Sequence, residues 1–141
     1  IGVNAQQIGG NLLSNGSRVE GSVERSVLSP GVFVAEGAVV RDSIILNDSV
    51  IEAGAVIDRC IIDKEVRVGA NAQIGVGDDN SANSESLDGL NTGITVIGKG
   101  SEVPEGFIMG RNVVVHAGTN EQTFGRRKKL ASGTSIGESE R

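Results

Sequence analysis

The side chains of this chain that could take part in chemistry are one histidine, one cysteine and a scattered set of cations. His116 could serve as a general base that deprotonates a hydroxyl or amine for acyl transfer, because imidazole titrates close to neutral pH. It could also be a surface residue at a corner, one position after the apolar Val115. A zinc site built from three histidines or from cysteines is excluded by these counts, and we predict no metal site.

Two other features resemble chemical motifs only at first sight. Cys60 has no second cysteine to pair with, and we interpret it as a small buried or half-buried filler. Residues 93–100 (GITVIGKG) nearly match a phosphate-binding loop, but Gly100 stands where a Ser or Thr must hold magnesium. We therefore reject a nucleotide-binding loop at this position.

The cations form the third candidate group. Six of them fall at or beside positions that the sequence marks as corners, namely Arg41, Arg59, Lys64, Arg67, Lys99 and Arg111. If successive coils of the chain stack about 4.8 Å apart, such cations could line a rail for anions. The alternative is simple solvation of the surface, which is also how we interpret the basic run at 126–129.

The elements that would position these side chains follow from a six-residue period. Aliphatic residues recur in one run at Val32, Ala38, Ile44, Val50, Val56, Ile62, Val68 and Ile74, and in a second at Ile97, Val103, Met109 and Val115. Gly, Asp, Asn and Ser cluster between them, and these residue types favour turns. We expect the twelve aliphatic residues to form the axial core.

A period of six fits very short strands separated by tight corners, with three strands in each coil. The sequence therefore predicts an all-β fold, a left-handed parallel β-helix of hexapeptide repeats with about 18 residues per coil. Its core should be narrow, which agrees with a composition of three Phe, no Tyr and no Trp. Val56→Asp should unfold such a prism if Val56 is axial.

Breaks in the period divide the chain into segments. We expect residues 1–12 to be a linker from a preceding domain, 13–119 to form the β-helix, and 120–141 to be a cap or tail. Residues 78–93 lack the period and are predicted to form an extruded loop. Phe124 and Leu130 could cover the open end of the solenoid.

Net charge and hydropathy exclude several classes of partner. Thirteen basic against 18 acidic residues give a formal charge of −5, which argues against nucleic acid or an anionic membrane surface. No apolar run approaches the roughly 20 residues needed to cross a bilayer. The chain begins with Ile1 and shows no signal peptide, so we expect a cytoplasmic piece of a longer protein.

Beyond the repeats, several strings are specific enough to suggest a family. Residues 26–32 (SVLSPGV) and 58–64 (DRCIIDK) resemble the carboxy-terminal β-helix of glucose-1-phosphate adenylyltransferases, the ADP-glucose pyrophosphorylases. Residues 91–99 (NTGITVIGK) and 108–113 (IMGRNV) are similar to bacterial members of that family. The resemblance spans about residues 19–119.

The resemblance implies the carboxy-terminal oligomerisation and allosteric-regulatory domain of an enzyme that makes ADP-glucose from ATP and glucose 1-phosphate for glycogen or starch synthesis. It implies a homotetramer, magnesium for the longer enzyme, and a catalytic domain outside this chain. The family's nucleotide signature is absent from these residues. We therefore predict no cofactor, no catalytic residue and no activity for this segment alone. By resemblance, Arg59, with Lys64 as a weaker companion, binds effector anions such as sugar phosphates or nucleotides.

Two other functions stay open from the sequence. One is a hexapeptide acyltransferase with His116 as base, although the sequence offers no second polar partner near that histidine. The other is the β-helix of a different sugar-nucleotide transferase.

Overall fold

The computed structural model describes residues 6–8, 11–85 and 91–138. The chain winds as a parallel β-helix of about seven turns, with three sheets, A, B and C, along its sides. Neighbouring strands within each sheet are parallel throughout. The predicted all-β solenoid is confirmed, and its architecture is consistent with the left-handed hexapeptide form.

Strands are numbered in chain order. Sheet A contains β1 (Gln6–Ile8), β4 (Ser22–Glu24), β7 (Val39–Arg41), β10 (Val56–Asp58), β13 (Gln73–Ile74), β16 (Ile108–Met109) and β18 (Lys129–Leu130). Sheet B contains β2 (Leu12–Leu13), β5 (Val27–Leu28), β8 (Ile44–Ile45), β11 (Cys60–Ile62), β14 (Thr95–Ile97), β17 (Val114–Val115) and β19 (Ser135–Ile136). Sheet C contains β3 (Arg18–Val19), β6 (Phe33–Val34), β9 (Val50–Ile51), β12 (Arg67–Val68) and β15 (Glu102–Val103).

The core is a thin column of mostly aliphatic side chains from the strands β2 to β19 and from the corners between them. In sheet A, for example, Val23, Val40, Ile57 and Ile74 are all fully buried and stack at intervals of 17 residues. Branched aliphatic side chains pack well on such pleated strands and fill most of the narrow axis.

A coil of 17 residues has one side that is shorter than the other two. The step from sheet A to sheet B, as from Val40 to Ile45, takes five residues, while the steps to Ile51 and on to Ile57 take six. The predicted 18 residues per coil is therefore wrong for these coils. The difference matters because side-chain direction alternates along a strand, so that a shift of one residue exchanges inside for outside.

This short side explains an error in the predicted axial core. A strict count in sixes slips by one residue at each five-residue side, and Ile44, Val50 and Val56 consequently face outward. Ile44 is 41% exposed, and Val50 and Val56 are half-buried. The nine other predicted core residues are buried: Val32, Ala38, Ile62, Val68, Ile74, Ile97, Val103, Met109 and Val115.

The solenoid extends further in both directions than the period indicated. Strand β1 lies within the expected linker and pairs with β4. In the expected tail, β18 and β19 add a strand each to sheets A and B. Between β17 and β18 the chain forms a single helical turn, α1 (Glu121–Phe124), which contacts β15 of sheet C. Its Phe124 is buried edge-on against Phe107, with ring centroids 4.8 Å apart.

Candidate functional site

The edge between sheets A and B carries charges of alternating sign. Glu24, Arg41 and Asp58 occupy equivalent positions at the ends of β4, β7 and β10. Arg41 lies 3.6 Å from the Asp58 carboxylate. A stack of cations along this edge would be destabilised by repulsion between neighbouring coils, whereas alternation gives each charge an opposite neighbour.

A second alternating column lies one residue further along the same edge. Arg25 binds the Asp42 carboxylate through Nε at 2.7 Å and Nη2 at 3.1 Å. This hydrogen bonding is the main reason that the pKa of Asp42 lies below its ordinary value, and the charge of nearby Arg59 lowers it further. Arg59 is exposed, has a left-handed backbone with φ of 52°, and forms no ion pair with another described residue.

Arg59 and Lys64, the two residues assigned to effector anions by resemblance, do not share one site. They lie at opposite ends of β11, and five residues of extended chain span roughly 16 Å. Lys64 instead stacks with Lys99 on the next coil, because β11 and β14 pair with a constant offset of 35 residues. Both lysines are exposed and make no ion pair within the described residues.

The remaining corner cations do not extend a rail. Arg67 on sheet C binds the Glu52 carboxylate at 2.8 Å. Arg111 lies beside Gly93, and its buried Nε has no hydrogen-bond partner among the described residues. The hypothesis of a continuous cationic rail is therefore wrong, and the positive positions form separate patches.

His116 has a polar partner that the sequence did not indicate. Its Nε2 lies 3.2 Å from Oε1 of Glu85, which belongs to the loop at 78–93. The pKa of Glu85 is below its ordinary value, mainly because of a hydrogen bond with Ser135 and secondly because of the one with His116. The imidazole is mostly buried, with 19% of its side chain exposed. His116 thus holds Glu85 of the loop in place.

The described first half of the loop, residues 78–85, folds back across the outer face of sheet B, and we call it the strap. Fully buried Asn83 donates from Nδ2 to the carbonyls of Asn112 and Thr134 and to Oγ of Ser135. The backbone N–H of Ser84 donates to the Gly133 carbonyl at 3.0 Å. The loop is therefore not simply extruded, since Asn83 and Ser84 are tied to the last coil.

Asn112 holds the base of the same loop. Its Nδ2 donates to the carbonyls of Asn80 and Ser81, and its Oδ1 accepts the N–H of Gly93. Asn112 has φ of 55°, a conformation that Asn tolerates better than most residues. This role was not predicted from the sequence. The available signal was an Asn placed where a repeat resumes after a long polar insertion.

Cys60 lies on the inner side of the corner and is closed to solvent. Its thiol is 3.2 Å from the Asp58 carbonyl, and burial raises its pKa far above the ordinary value. A thiol with so high a pKa is a poor nucleophile at neutral pH. The interpretation of Cys60 as a buried filler agrees with this environment.

A polar cleft of about 540 Å³ opens beside the last coil. Its walls include Thr119, Thr123, Arg127, Ser135 and Glu138. His116 is not among the residues that line it, although Ala117 is.

Metal and membrane features can be stated only for the described residues. No three His, Cys, Asp or Glu side chains converge there in a way that could hold a metal ion, so the described part offers no cage for magnesium. None of the helices in that part is long and apolar enough to cross a membrane.

Comparison with known proteins agrees with this architecture. The family described as GlmU-like, C-terminal hexapeptide matches residues 3–97, about two thirds of the chain. The chain belongs to this family. Membership of this family explains the coils and their corners. A shared fold does not determine the chemistry of an attached domain.

Three curated relatives of this family member share one name. A glucose-1-phosphate adenylyltransferase of Acetivibrio thermocellus is 44% identical over 74% of this chain and 24% of its own length. The enzyme of the same name from Thermomicrobium roseum is 58% identical over 50% of this chain and 17% of its own. The enzyme of the same name from Pseudothermotoga lettingae is 41% identical over 89% of this chain and 30% of its own length. This chain spans less than a third of the length of each of these three relatives.

Among solved structures, the acetyltransferase domain of PglB from Neisseria gonorrhoeae, in complex with acetyl coenzyme A, superposes with a TM-score of 0.54. The superposition covers 94% of this chain and 51% of the acetyltransferase chain, at 17% sequence identity. At this identity the likeness shows the shared fold alone.

Proposed function

We propose that this chain is the carboxy-terminal assembly and regulatory domain of a cytoplasmic enzyme that forms ADP-glucose and pyrophosphate from ATP and glucose 1-phosphate. The observation that carries the proposal is the match to the carboxy-terminal segment of proteins named glucose-1-phosphate adenylyltransferase, at 44% identity over 105 residues. Catalysis, with magnesium, belongs to a domain outside these residues.

The geometry supports a structural role for the solenoid. Its core of stacked aliphatic side chains is continuous through the described coils, and such a body keeps attached domains in fixed register. We propose that it assembles with copies of itself, as a homotetramer in the longer enzyme. Sedimentation equilibrium tests this assembly, and a clean trimer would contradict the tetramer.

For regulation, we propose that Arg59 contributes a cation to a site for anionic sugar phosphates or nucleotides. Its guanidinium is exposed and not neutralised by an ion pair of its own among the described residues. Lys64 acts in a second patch, together with Lys99, because these lysines stack on adjacent coils at the other end of β11.

The test of regulation uses the longer enzyme. Arg59→Ala should weaken the response of ADP-glucose synthesis to anionic effectors at least tenfold while leaving unregulated turnover intact. Arg67→Ala is the matched control, because Arg67 is an exposed arginine already paired with Glu52. An unchanged effector response in Arg59→Ala would remove Arg59 from the site. Formation of ADP-glucose by the 141-residue chain alone would contradict the proposal that catalysis belongs to a domain outside these residues.

The contact between His116 and Glu85 favours one second candidate, acyl transfer with His116 as base. A carboxylate beside an imidazole is the arrangement that orients a histidine for proton transfer. His116→Asn should abolish acyl transfer from acyl-coenzyme A if this function is correct, whereas unchanged turnover would exclude it. A panel of ATP, UTP, CTP and GTP on the longer enzyme decides whether another sugar-nucleotide transferase is the better description.

A further inference from the structure

The corner between sheets B and C carries a ladder of hydrogen bonds that leaves out its first peptide. On the third coil, for example, the N–H of Asp48 donates to the Pro30 carbonyl of the preceding coil at 3.2 Å. The same bond recurs on later coils from Glu65 to Asn47, from Gly100 to Lys64 and from Gly118 to Lys99. In the first corner, neither the Gly16 N–H nor the Asn15 carbonyl is hydrogen-bonded to another described residue. The peptide between Asn15 and Gly16 can therefore turn without breaking a bond to a neighbouring described coil.

The side chain before this peptide is also free to react. Asn15 and Gly16 are both exposed, in a turn closed by the Ser17 N–H and the Ser14 carbonyl at 3.2 Å. The Asn15 amide group makes no hydrogen bond to another described residue. Gly16 has φ of 85° and lacks a Cβ, so its nitrogen is open to approach by the carboxamide carbon of Asn15. No other Asn-Gly pair occurs in the sequence.

We propose that Asn15 is a modification site, at which the folded protein deamidates spontaneously through a cyclic imide. The Gly16 nitrogen loses its proton to hydroxide and attacks Cγ of Asn15. The bond from this nitrogen to Cγ forms, the bond from Cγ to Nδ2 breaks, and ammonia leaves with a proton taken from water. Water then opens the ring at either carbonyl and gives aspartate or isoaspartate. The reaction needs no catalytic domain and no effector, so it goes beyond the proposed function.

The other described asparagines each lack one of these conditions. In most of them the backbone N–H that would have to attack is already hydrogen-bonded, which holds for Asn11, Asn47, Asn71, Asn80, Asn83 and Asn112. Asn120 is fixed as the cap of α1, where its Oδ1 accepts the Thr123 N–H at 3.2 Å. Asn91 precedes Thr92, whose stiff branched side chain hinders approach to its nitrogen. The geometry therefore selects Asn15 among them.

The isoaspartate product changes the corner itself. Its backbone runs through Cβ and Cγ of residue 15, which adds one atom to the chain between β2 and β3. These strands hold the first coil to the second, through the Leu12 N–H to the Ser26 carbonyl at 2.9 Å and the Arg18 N–H to the Val32 carbonyl at 2.8 Å. A lengthened corner displaces these strands relative to each other. We therefore expect the isoaspartate form to loosen the first coil.

The first test is peptide mass spectrometry of the folded 141-residue chain after incubation in mildly alkaline buffer. Asn15 should be converted at least tenfold faster than any other described asparagine, with release of ammonia and gain of a carboxylate. Equal conversion of Asn15 and Asn47, or an intact Asn15 after other asparagines have reacted, would overturn the proposed site.

Asp48→Gly is the matched control for the effect of the fold. It places a glycine after Asn47 in the equivalent corner two coils later, and Asp48 has φ of 63°, which glycine adopts without strain. Asn47 is half-buried, and the N–H that follows it donates to the Pro30 carbonyl. In this variant Asn47 should react at least tenfold more slowly than Asn15 in the same folded chain, and at the same rate in urea. Circular dichroism confirms the fold, and equal rates in the folded chain would overturn the protection inferred from the ladder.

Hydrogen exchange tests the consequence for the first coil. In the separated isoaspartate form, the amides of Leu12 and Arg18 should exchange at least tenfold faster than in the unaltered chain. The amide of Val56, which donates to the Ala72 carbonyl in the middle of the stack, should not change. Asn15→Asp is the matched control, because it adds the same charge without the extra backbone atom. Equal exchange in the isoaspartate form and in Asn15→Asp would contradict the loosening of the first coil.

Discussion

Asn83 and Asn112 are hydrogen-bonded to each other, with Asn83 Nδ2 donating to the Asn112 carbonyl at 3.0 Å, and both residues are fully buried. Each also bonds to backbone on another segment, Asn83 to the last coil and Asn112 to the start and end of the loop. Two amide side chains therefore fix a long polar insertion that has few apolar side chains to pack with.

We expect Asn112→Gly to destabilise the fold by about 1–3 kcal/mol, because it leaves the N–H of buried Gly93 and the carbonyl of Asn80 without their partner. Glycine keeps the left-handed backbone accessible, so the substitution isolates the loss of the amide. Asn71→Gly is the control, since Asn71 has φ of 61° and is exposed. Urea denaturation of the two variants gives the comparison, and equal stabilities would show that Asn112 does not hold the loop.

Ile57→Asp should unfold the solenoid, with a loss of at least about 4 kcal/mol, because it buries a charge with no partner in the axial core. Its neighbour Val56 faces outward, so Val56→Asp should leave a folded protein. Thermal melts followed by circular dichroism separate the two. Unfolding of Val56→Asp with tolerance of Ile57→Asp would reverse the register described above.

The strap contact should weaken in acid. The pKa of Glu85 is lowered in the fold, so its contribution to stability is present above the ordinary value of 4.5 and is lost as the pH falls through the lowered value. Carbon-detected NMR of the Glu85 carboxyl follows this titration. Ser135→Ala should raise the pKa more than His116→Gln does, since the hydrogen bond with Ser135 is the larger cause. The reverse order would assign the shift chiefly to the histidine.

Cys60 should not react with a thiol reagent in the native protein and should react fully in denaturant, because the thiol is buried and its pKa is raised. Cys60→Ser should change stability by less than about 1.5 kcal/mol. Equivalent positions on the two preceding coils already hold Ser26 and Ser43, whose hydroxyls donate to a carbonyl two residues before them. Rapid labelling of the native chain would contradict the burial.

The fold could be predicted because its main determinant repeats. Short strands and tight corners leave a periodic record of aliphatic and turn residues, which is visible in a single sequence. The predicted register is wrong at Ile44 because one side of each 17-residue coil is one residue shorter than the other two. In addition, the outward aliphatic residues of sheet B give nearly the same sequence pattern as the core. Sequence patterning cannot tell an inward Ile45 from an outward Ile44 when both are isoleucine.

The candidate site was less predictable for a different reason. Placing Arg59 and Lys64 at opposite ends of one strand requires the exact length of β11. Pairing His116 with Glu85, which is 31 residues away in the sequence, requires the path of the loop. Neither the length of β11 nor the path of the loop follows from local sequence spacing. The alternating charges at the sheet edge became visible only when Glu24, Arg41 and Asp58 were placed in register.

The strap also changes how the solenoid can come apart. In a stack of coils, each coil is normally stabilised only by its immediate neighbours, so the ends fray one coil at a time. Asn83 lies in the loop that follows β13, at the end of the fourth coil counted from β2, yet it bonds to Thr134 and Ser135 on the seventh coil. Loss of the last coil must therefore break contacts that begin three coils earlier, which couples the end of the stack to its middle and makes unfolding more cooperative.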